Sequence, residues 1–327
     1  MTASFWAPGR VNLIGEHTDY SGGLVLPVAI NLGIRVTIEP ASSIALASEN
    51  ERVELAADGT GTARGWGRYV AAVAQELATL GRRPVGIEGA LEADLPRGAG
   101  LGSSAALELA LALALCAVAD FVVEPLELVL ACQRAERRAV GVPCGILDQA
   151  ASLLAREGSA LLLDCSTLEY RWVELPEELA IAVVDSGERH RHEDSRYALR
   201  RSELEAGDPR RVRHLTTENE RVRRTVEALE RHDLRALGAL FAASQVSLRD
   251  DYEVSTPTLD RLVEAAIAAG AIAARLTGGG FGGSVVVLAE GVRAEAVLET
   301  TLASAGTRAW IVRSTGGATQ ESARPRH

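Results

Sequence analysis

The chain has 327 residues, of which 47% are hydrophobic and 24% charged, and its formal net charge is −10. Such a length and composition are typical of one large or two ordinary globular domains with an ample core. The acidic balance argues against a nucleic-acid partner, because phosphate backbones bind to net basic surfaces. The four cysteines form no CxxC pair and lie in apolar contexts, which argues against a disulfide framework or a cysteine zinc site.

No targeting or membrane signal is visible in the sequence. The N-terminal segment MTASFWAPGR has no apolar core of the kind that a signal peptide needs. The most apolar run, residues 109–119, is too short to span a bilayer. We therefore expect a cytoplasmic protein without a membrane partner.

In the first half of the chain, hydrophobic spacing and turn residues predict alternating strands and helices. The expected elements are strands at 10–16 and 24–40 with a turn at 21–23, a helix at 66–80, a strand at 87–95, helices at 105–119, 126–140 and from about 146, and strands at 160–164 and 179–185. Residues 105–119 alternate Ala and Leu as a strand would. Their length and alanine content nevertheless favour a helix that is buried all round.

The second half predicts charged helices followed by a smaller mixed domain. The expected elements are helices at 195–205, 218–240 and 258–269, a strand at 271–276, a loop at 277–283, a strand at 284–289, a helix at 292–305 and a strand at 308–313. This pattern is typical of a second α/β domain that begins somewhere near residues 165–180.

A glycine-rich loop at residues 96–107, PRGAGLGSSAAL, is the first candidate for chemistry. Its glycines let the backbone approach a ligand, and the serines that follow can cap a helix whose N-terminus attracts phosphate. The alternative is an ordinary glycine turn with a serine cap. All 34 basic residues are arginine, so a GxxxxGK P-loop and kinases built on a strand lysine are excluded. Backbone amides, the helix end and a metal would then have to hold any phosphate.

A second polar cluster lies in residues 9–20, GRVNLIGEHTDY. It brings Arg10, Glu16, His17 and Asp19 to the junction of a strand and a loop. Carboxylates accept hydrogen bonds from vicinal hydroxyls, so the cluster suits a hydroxyl-rich ligand. A metal site is disfavoured because five of the six histidines lie beyond residue 189. For His17 alone, a polar turn is the alternative.

Five segments in order resemble the galactokinase family of the GHMP kinases. GRVNLIGEHTDYSGG and the following VLP are similar to the galactokinase signature, and GLGSSAA and LTGGGFGG to the second and third motifs of the superfamily. PCGILDQ and SLRDDYEVS are similar to two further family segments, the first of them catalytic. The resemblance implies a two-domain α+β fold. It has an N-terminal α/β domain at 1–175, a C-terminal ferredoxin-like α+β domain at 176–327, and the active site in the cleft between them.

The resemblance implies that Arg10 and Asp148 form the catalytic pair, with Asp148 beside the anomeric hydroxyl as base or orienting acceptor. An adjacent arginine makes a carboxylate a weaker base, and phosphoryl transfer needs little early deprotonation. We therefore expect Arg10 to act on the phosphoryl charge while Asp148 takes the proton late. Without the resemblance, Asp148 would be an N-cap or first-turn acid of a helix.

Nucleotide, metal and sugar contacts are also implied by the resemblance. Ser104 and Glu136 would hold Mg²⁺, which takes few protein oxygens; otherwise Glu136 would be an exposed helix acid. The residues expected to bind ATP are Gly98, Gly100, Leu101, Gly102, Ser103 and Ser104. Those expected to bind the sugar are Glu16, His17, Asp19, the backbone of Gly145 and Tyr197. Two departures from the family pattern are Gly102, in place of a common serine, and Gln245, in place of a histidine.

The activity implied is Mg²⁺-dependent transfer of phosphate from ATP to D-galactose, giving α-D-galactose 1-phosphate, the first committed step of galactose catabolism. A monomer is expected rather than an oligomer. Two alternatives stay open. One is a sister sugar-1-kinase for arabinose, N-acetylgalactosamine or galacturonate. The other is an inactive relative that binds sugar and ATP to regulate a partner protein.

Overall fold

The computed structural model describes residues 2–49, 51–96, 98–141, 144–188, 193–305 and 307–321, without the side chains of 193–195, 304 and 305. Two positions quoted in the motifs above, Arg97 and Pro143, lie outside the described residues.

The described residues form thirteen strands and nine α-helices. The strands are β1 (Ala3–Asn12), β2 (Leu24–Val25), β3 (Pro27–Ala41), β4 (Ser43–Ala47), β5 (Arg52–Ala56), β6 (Gly86–Ala93), β7 (Ser159–Asp164), β8 (Tyr170–Glu174), β9 (Leu179–Asp185), β10 (Ala273–Thr277), β11 (Ser284–Glu290), β12 (Arg308–Val312) and β13 (Thr319–Glu321). The helices are α1 (Gly67–Thr79), α2 (Ser103–Val118), α3 (Pro125–Val140), α4 (Leu147–Leu154), α5 (Glu193–Glu205), α6 (Pro209–Glu230), α7 (Leu234–Asp250), α8 (Pro257–Ala268) and α9 (Ala294–Ala305).

The largest sheet has the order β13-β1-β3-β6-β4-β5, and its neighbours run antiparallel except for the parallel pair β4 and β6. A small antiparallel sheet, β2-β7-β8, lies beside it. The end of the chain returns to the first strand, because β13 pairs with β1. Arg35 on β3 secures this return with a two-pronged ion pair to Glu321, at 2.6 and 2.8 Å.

The second large sheet confirms the ferredoxin-like prediction. Its order is β10-β11-β9-β12 with all neighbours antiparallel, and it comes from a chain order of strand, helices, two strands, helix and strand. Together with the mixed helix-and-sheet first half, this gives the expected α+β fold.

Helix α2 forms where Ala and Leu alternate, and it is the centre of the first half of the molecule. Nearly every side chain from Ala105 to Cys116 is buried, including the carboxylate of Glu108. A strand would leave one face of this run to water, whereas a helix buries all faces against β1, β3, α1, α3 and α4. The prediction of a helix here is confirmed.

The single helix predicted at 218–240 is wrong, because the chain forms two helices, α6 and α7, with a break between them. At the break His232 has a left-handed φ of +53°, and the Asp233 carboxylate accepts a 2.9 Å hydrogen bond from the backbone of Ala236. Asp208 caps the start of α6 in the same way, through the backbone N–H groups of Arg210 and Arg211. The Asp233 cap thus starts a new helix inside the stretch predicted as one helix, and the Asp208 cap starts α6 nine residues before the predicted position 218.

None of the helices in the described ranges is long and apolar enough to cross a bilayer.

Candidate active site

A cavity of about 320 Å³ lies where the end of β1, the glycine loop before α2, the start of α4 and the loop after β10 meet. Its walls contain all the predicted sugar-binding and catalytic residues: Arg10, Glu16, His17, Asp19, Gly145, Asp148 and Tyr197. Gly100 of the predicted ATP loop and Glu136 of the predicted metal pair also line it. Side chains far apart in sequence therefore converge on one space, as ligand sites require.

Hydrogen bonds tie the three glycine-containing motifs together behind this cavity. Ser284 Oγ, after the third motif, donates to the carbonyl of Ala99 in the second at 2.7 Å. Thr277 Oγ1, at the start of the third, accepts from Asn12 N at 3.0 Å and donates to Asn12 O at 3.1 Å. These bonds fix the backbone positions from which the cavity residues project.

Arg10 and Asp148 form a two-pronged charge-assisted pair at the cavity wall. Nε and Nη2 of Arg10 donate to the two carboxylate oxygens of Asp148 at 2.7 and 2.6 Å. The third guanidinium nitrogen donates to Gly100 O at 2.5 Å, so all three nitrogens are held. The Asp148 side chain keeps 26% of its surface exposed, against 9% for Arg10, which leaves the carboxylate accessible from the cavity. The structure thus joins the two predicted catalytic residues directly.

Asp19 packs against the backbone of Gly145, so these two predicted sugar-binding residues are in contact. An ideal Cβ on Gly145 would lie 1.5 Å from Asp19 Oδ2, which shows how little space separates them. Burial, with the neighbouring charge of Asp148 as a further cause, raises the pKa of Asp19 to about 6. Asp19 is therefore a carboxylate at neutral pH and accepts hydrogen bonds there.

His17 lies in an aromatic cluster with Tyr20, Tyr197 and Tyr252. Its Nδ1 is 3.0 Å from the Tyr20 hydroxyl, and its ring centroid is 5.5 Å from that of Tyr197 and 4.6 Å from that of Tyr252. Burial, followed by the charge of His214, lowers the pKa of His17 to about 3, so the ring is neutral at physiological pH. Burial also raises the pKa of Tyr197 well above its usual value, which keeps its hydroxyl protonated.

Glu16 is held at the cavity by partners that sequence reasoning missed. Oε2 of Glu16 accepts from the guanidinium of Arg275, and Oε1 accepts from Gly278 N at 3.1 Å. Arg275 is fully buried and also donates to Leu13 O at 2.8 Å. Glu218 of α6 holds the residue before Glu16, because its carboxylate accepts a hydrogen bond from Gly15 N at 3.0 Å. One sequence signal was available, because Arg275 interrupts an otherwise apolar strand directly before the third motif.

A second missed residue is Asn12, which follows Arg10 by two positions on β1. Its side chain lines the cavity and is 2% exposed, and neither its amide nitrogen nor its amide oxygen has a hydrogen-bond partner among the described residues. Buried polar atoms without partners are rare in proteins, and a bound polar ligand is one way of satisfying them. The sequence feature that could have identified Asn12 as a site residue is its position inside the GRVNLIGEHTDY motif.

The second motif adopts the backbone expected of an anion cradle, but its helix cap differs from expectation. Gly98, Gly100 and Gly102 have φ of +69°, +71° and +73°, which side chains with a Cβ rarely adopt. The residue that caps α2 is Gly102, not a serine, and within the described ranges no side chain bonds the free N–H groups at this end. The expectation of a serine cap is wrong: Ser103 and Ser104 lie in the first turn of the helix. The exposed N–H groups remain available to a ligand.

Ser104 and Glu136 meet across helices α2 and α3. Ser104 Oγ donates to Glu136 Oε1 at 2.6 Å. A hydroxyl and a carboxylate are oxygen donors that suit Mg²⁺, which takes few protein ligands and completes its octahedron with phosphate and water. No group of three or more His, Cys, Asp or Glu side chains among the described residues is arranged to hold a metal ion.

Family models match three parts of the chain. The galactokinase galactose-binding signature matches residues 3–40, the GHMP kinases N terminal domain residues 68–156, and the GHMP kinases C terminal domain residues 225–301. Among relatives, a galactokinase of Streptomyces coelicolor is 37% identical over 356 residues, covering 93% of this chain and 89% of the relative. A galactokinase of Thermotoga petrophila is 39% identical over 309 residues, covering 87% and 88%.

Solved structures give the same result for the fold. Lactococcus lactis galactokinase complexed with galactose matches with a TM-score of 0.89 at 30% identity, covering 97% of this chain and 95% of that one. Methanococcus jannaschii mevalonate kinase matches with a TM-score of 0.77 at 20% identity, covering 97% and 98%, which shows a shared fold.

Fold, motifs and family models together define a GHMP-type small-molecule kinase, a class that uses ATP as phosphoryl donor. Within that class, the two galactokinase relatives are more than a third identical over 93% and 87% of this chain. The chain belongs to the galactokinase family and is a sugar kinase.

Proposed function

We propose that the protein transfers the γ-phosphoryl group of ATP to the anomeric hydroxyl of D-galactose, giving α-D-galactose 1-phosphate and ADP. This is the first committed step of galactose catabolism. The observation that carries the proposal is the Arg10–Asp148 pair on the wall of a 320 Å³ cavity that also contains Asp19. A cavity of this size, with a few converging polar groups, suits a monosaccharide.

The sugar is bound by Glu16, His17, Asp19, Tyr197 and the backbone of Gly145. Asp19 accepts a hydrogen bond from the axial hydroxyl of galactose, and the equatorial epimer leaves this buried carboxylate without its partner. Sites that hydrogen-bond a substrate hydroxyl reject analogues that lack it much more strongly than apolar pockets reject a missing methylene. The neutral rings of His17 and Tyr197 provide further donors and a flat wall beside the sugar.

The chemistry is carried by Asp148 and Arg10. Asp148 accepts a hydrogen bond from the anomeric hydroxyl, which orients the attacking oxygen, and takes its proton late in the transfer. Arg10, which Asp148 and Gly100 fix at the cavity wall, offsets the negative charge that develops on the moving phosphoryl group; its fixed position supports this role. Phosphoryl transfer depends chiefly on such positioning and electrostatic stabilisation.

ATP is held by backbone N–H groups of Gly98, Gly100, Leu101 and Gly102 and by the first turn of α2 with Ser103 and Ser104. Because no side chain among the described residues caps the start of α2, the N–H groups of its first turn are free to bind phosphate oxygens. Ser104 and Glu136 hold Mg²⁺ through a hydroxyl and a carboxylate oxygen. When bound, the metal neutralises phosphate charge.

The division at residue 175 places β9, the first strand of the ferredoxin-like sheet, at the start of the second domain. In this division the domains cover 1–175 and 176–327, and β13 crosses back to the first sheet.

The protein acts as a cytoplasmic monomer with two small-molecule substrates.

The test is ADP release in the presence of Mg²⁺ and ATP with a panel of sugars: galactose, its epimer glucose, galactosamine, N-acetylgalactosamine, arabinose and galacturonate. Turnover on galactose of about 1–100 per second, with glucose at background, supports the proposal. Fast turnover on another sugar instead identifies a sister sugar-1-kinase. Binding of sugar and ATP without turnover on any sugar identifies an inactive regulator.

A further inference from the structure

Gln149 links the half-buried carboxylate of Glu136 to the buried side chain of Glu108, directly beside the catalytic pair. It follows Asp148 on α4 and is fully buried. Its side-chain nitrogen is 2.8 Å from Glu136 Oε2 and 2.9 Å from Glu108 Oε2. One amide group therefore bridges the predicted metal-binding carboxylate and a second carboxylate in the core.

The chemistry of the amide fixes its orientation. An amide nitrogen has two hydrogens to donate, whereas the amide oxygen only accepts. Turning the group over would place that oxygen against the carboxylate oxygen of Glu136, so the orientation with the nitrogen toward Glu136 is the favourable one. The nitrogen then donates one hydrogen to Oε2 of Glu136 and the other to Oε2 of Glu108.

Glu136 is consequently held at both of its oxygens by different helices. Ser104 of α2 donates to Oε1 at 2.6 Å, and Gln149 of α4 donates to Oε2. Glu108, which anchors the other side of Gln149, lies four residues after Ser104 and so on the same face of α2. It is 0% exposed, so this anchor is enclosed by packed side chains. The carboxylate of Glu136 thus has little freedom to rotate or shift.

We propose that Gln149 is a positioning residue that makes Glu136 a single-oxygen metal ligand and so favours Mg²⁺ over Ca²⁺. Ca²⁺ takes six to eight oxygens and often binds both oxygens of one carboxylate, whereas Mg²⁺ requires a compact octahedron. An amide that occupies Oε2 opposes two-oxygen binding, so the cation would meet Glu136 at Oε1 and replace the hydrogen bond that Ser104 donates there. The inference rests on the proposed function, in which Ser104 and Glu136 hold Mg²⁺.

The test is a calorimetric titration of the full-length protein with Mg²⁺ and, separately, with Ca²⁺. Both titrations are done in the presence of a non-hydrolysable ATP analogue. For Gln149→Met, which keeps the length of the side chain but removes the amide, the Mg²⁺ affinity is expected to fall by about 10- to 100-fold. The Ca²⁺ affinity falls less, so the preference for Mg²⁺ narrows, and galactose affinity is unchanged. The matched control is Gln75→Met. The amide of Gln75, on α1, donates to Gly59 O and not to Glu108 or Glu136.

A second variant, Glu108→Leu, removes the anchor of Gln149 without touching Glu136. Glu108→Leu is expected to lower the ratio of Mg²⁺ to Ca²⁺ affinity, as Gln149→Met does, but by a smaller factor. It replaces Gln149→Met as the test if that variant does not fold. Unchanged Mg²⁺ affinity in Glu136→Gln would contradict the metal site of the proposed function. If Glu136→Gln weakens Mg²⁺ binding while Gln149→Met or Glu108→Leu leaves the Mg²⁺ to Ca²⁺ preference as in the wild type, the proposed function stands and the role of Gln149 is overturned.

Discussion

The carboxylate of Asp19 occupies the space that a side chain at Gly145 would need. A Cβ at that position would lie 1.5 Å from Oδ2 and 2.1 Å from Cγ of Asp19. Gly145 is not among the residues with positive φ, so its backbone suits any amino acid and the need for glycine is steric. The turn before α4 and the loop after β1 therefore fix each other at the proposed sugar site.

Gly145→Ala is expected to displace Asp19 and to raise the KM for galactose by about 10- to 100-fold, because small misplacements of binding groups are costly. The KM for ATP should change little, since the glycine loop is untouched. Steady-state kinetics with each substrate varied in turn provides the measurement. The control is Gly316→Ala, whose added Cβ meets no atom within 4 Å and whose φ is not positive. An unchanged galactose KM in Gly145→Ala would show that Asp19 does not bind the sugar from this position.

The raised pKa of Asp19 predicts an acid limb in the pH profile. Asp19 is ionised above its pKa of about 6 and protonated below it, so kcat/KM for galactose should fall as the pH drops through 6. His17, with a pKa of about 3, stays neutral across this range and adds no limb of its own. Asp19→Asn should have a lower kcat/KM at neutral pH and no limb near pH 6. A limb that persists in Asp19→Asn would assign it to another group.

The same pKa shift has a consequence for stability. Because the pKa of Asp19 is raised from 3.8 in the unfolded chain to about 6 in the fold, folding favours its protonated form. The stabilisation is complete below pH 3.8 and is lost as the pH rises through 6. Asp19→Asn is neutral at every pH. The denaturation midpoint of this variant minus that of the wild type should therefore be larger at pH 8 than at pH 4. Equal differences at the two pH values would contradict the raised pKa.

Residues 317 and 318 hydrogen-bond to the end of α4, the helix that carries Asp148. Gly317 N donates to Ala155 O at 3.0 Å and Ala318 N to Ser152 O at 2.8 Å, just at the end of α4. A Cβ on Gly317 would lie 2.0 Å from Leu153 O, so Gly317→Ala should reduce the free energy of unfolding by about 1–3 kcal/mol. Denaturant titration measures this against the adjacent Gly316→Ala, expected within about 0.5 kcal/mol of wild type. Equal midpoints for the two variants would contradict the contact.

Much of the fold follows from local sequence rules. The alanine content of α2 outweighed its alternating pattern, and the strand–helix order of the second half led to the ferredoxin-like sheet. The helix predicted across 218–240 failed because Asp233 caps a new helix within a stretch where Arg and Glu are mixed. The serine cap failed because Gly102 supplies the left-handed turn itself. Both errors concern single residues whose capping role depends on backbone geometry.

The site could be predicted as a set of residues but not as a set of contacts. Motifs identified Arg10, Asp19 and Asp148, and the structure places all three at one cavity. Arg275 and Gln149 were missed, although Gln149 lies inside a motif, because their effect comes from partners more than ten residues distant in sequence. Buried polar contacts of this kind depend on how helices and sheets pack, which no local pattern encodes.

The most direct test of the catalytic account is single-turnover formation of galactose 1-phosphate by wild type and Asp148→Asn, with galactose and ATP both saturating. Asparagine keeps the size of the side chain but neither pairs with Arg10 as an ion nor takes the proton. The account predicts that the rate of transfer falls by about 10²- to 10⁴-fold, while the dissociation constant for galactose stays within a few-fold of wild type. A transfer rate within tenfold of wild type would contradict the assignment of the chemistry to the Arg10–Asp148 pair.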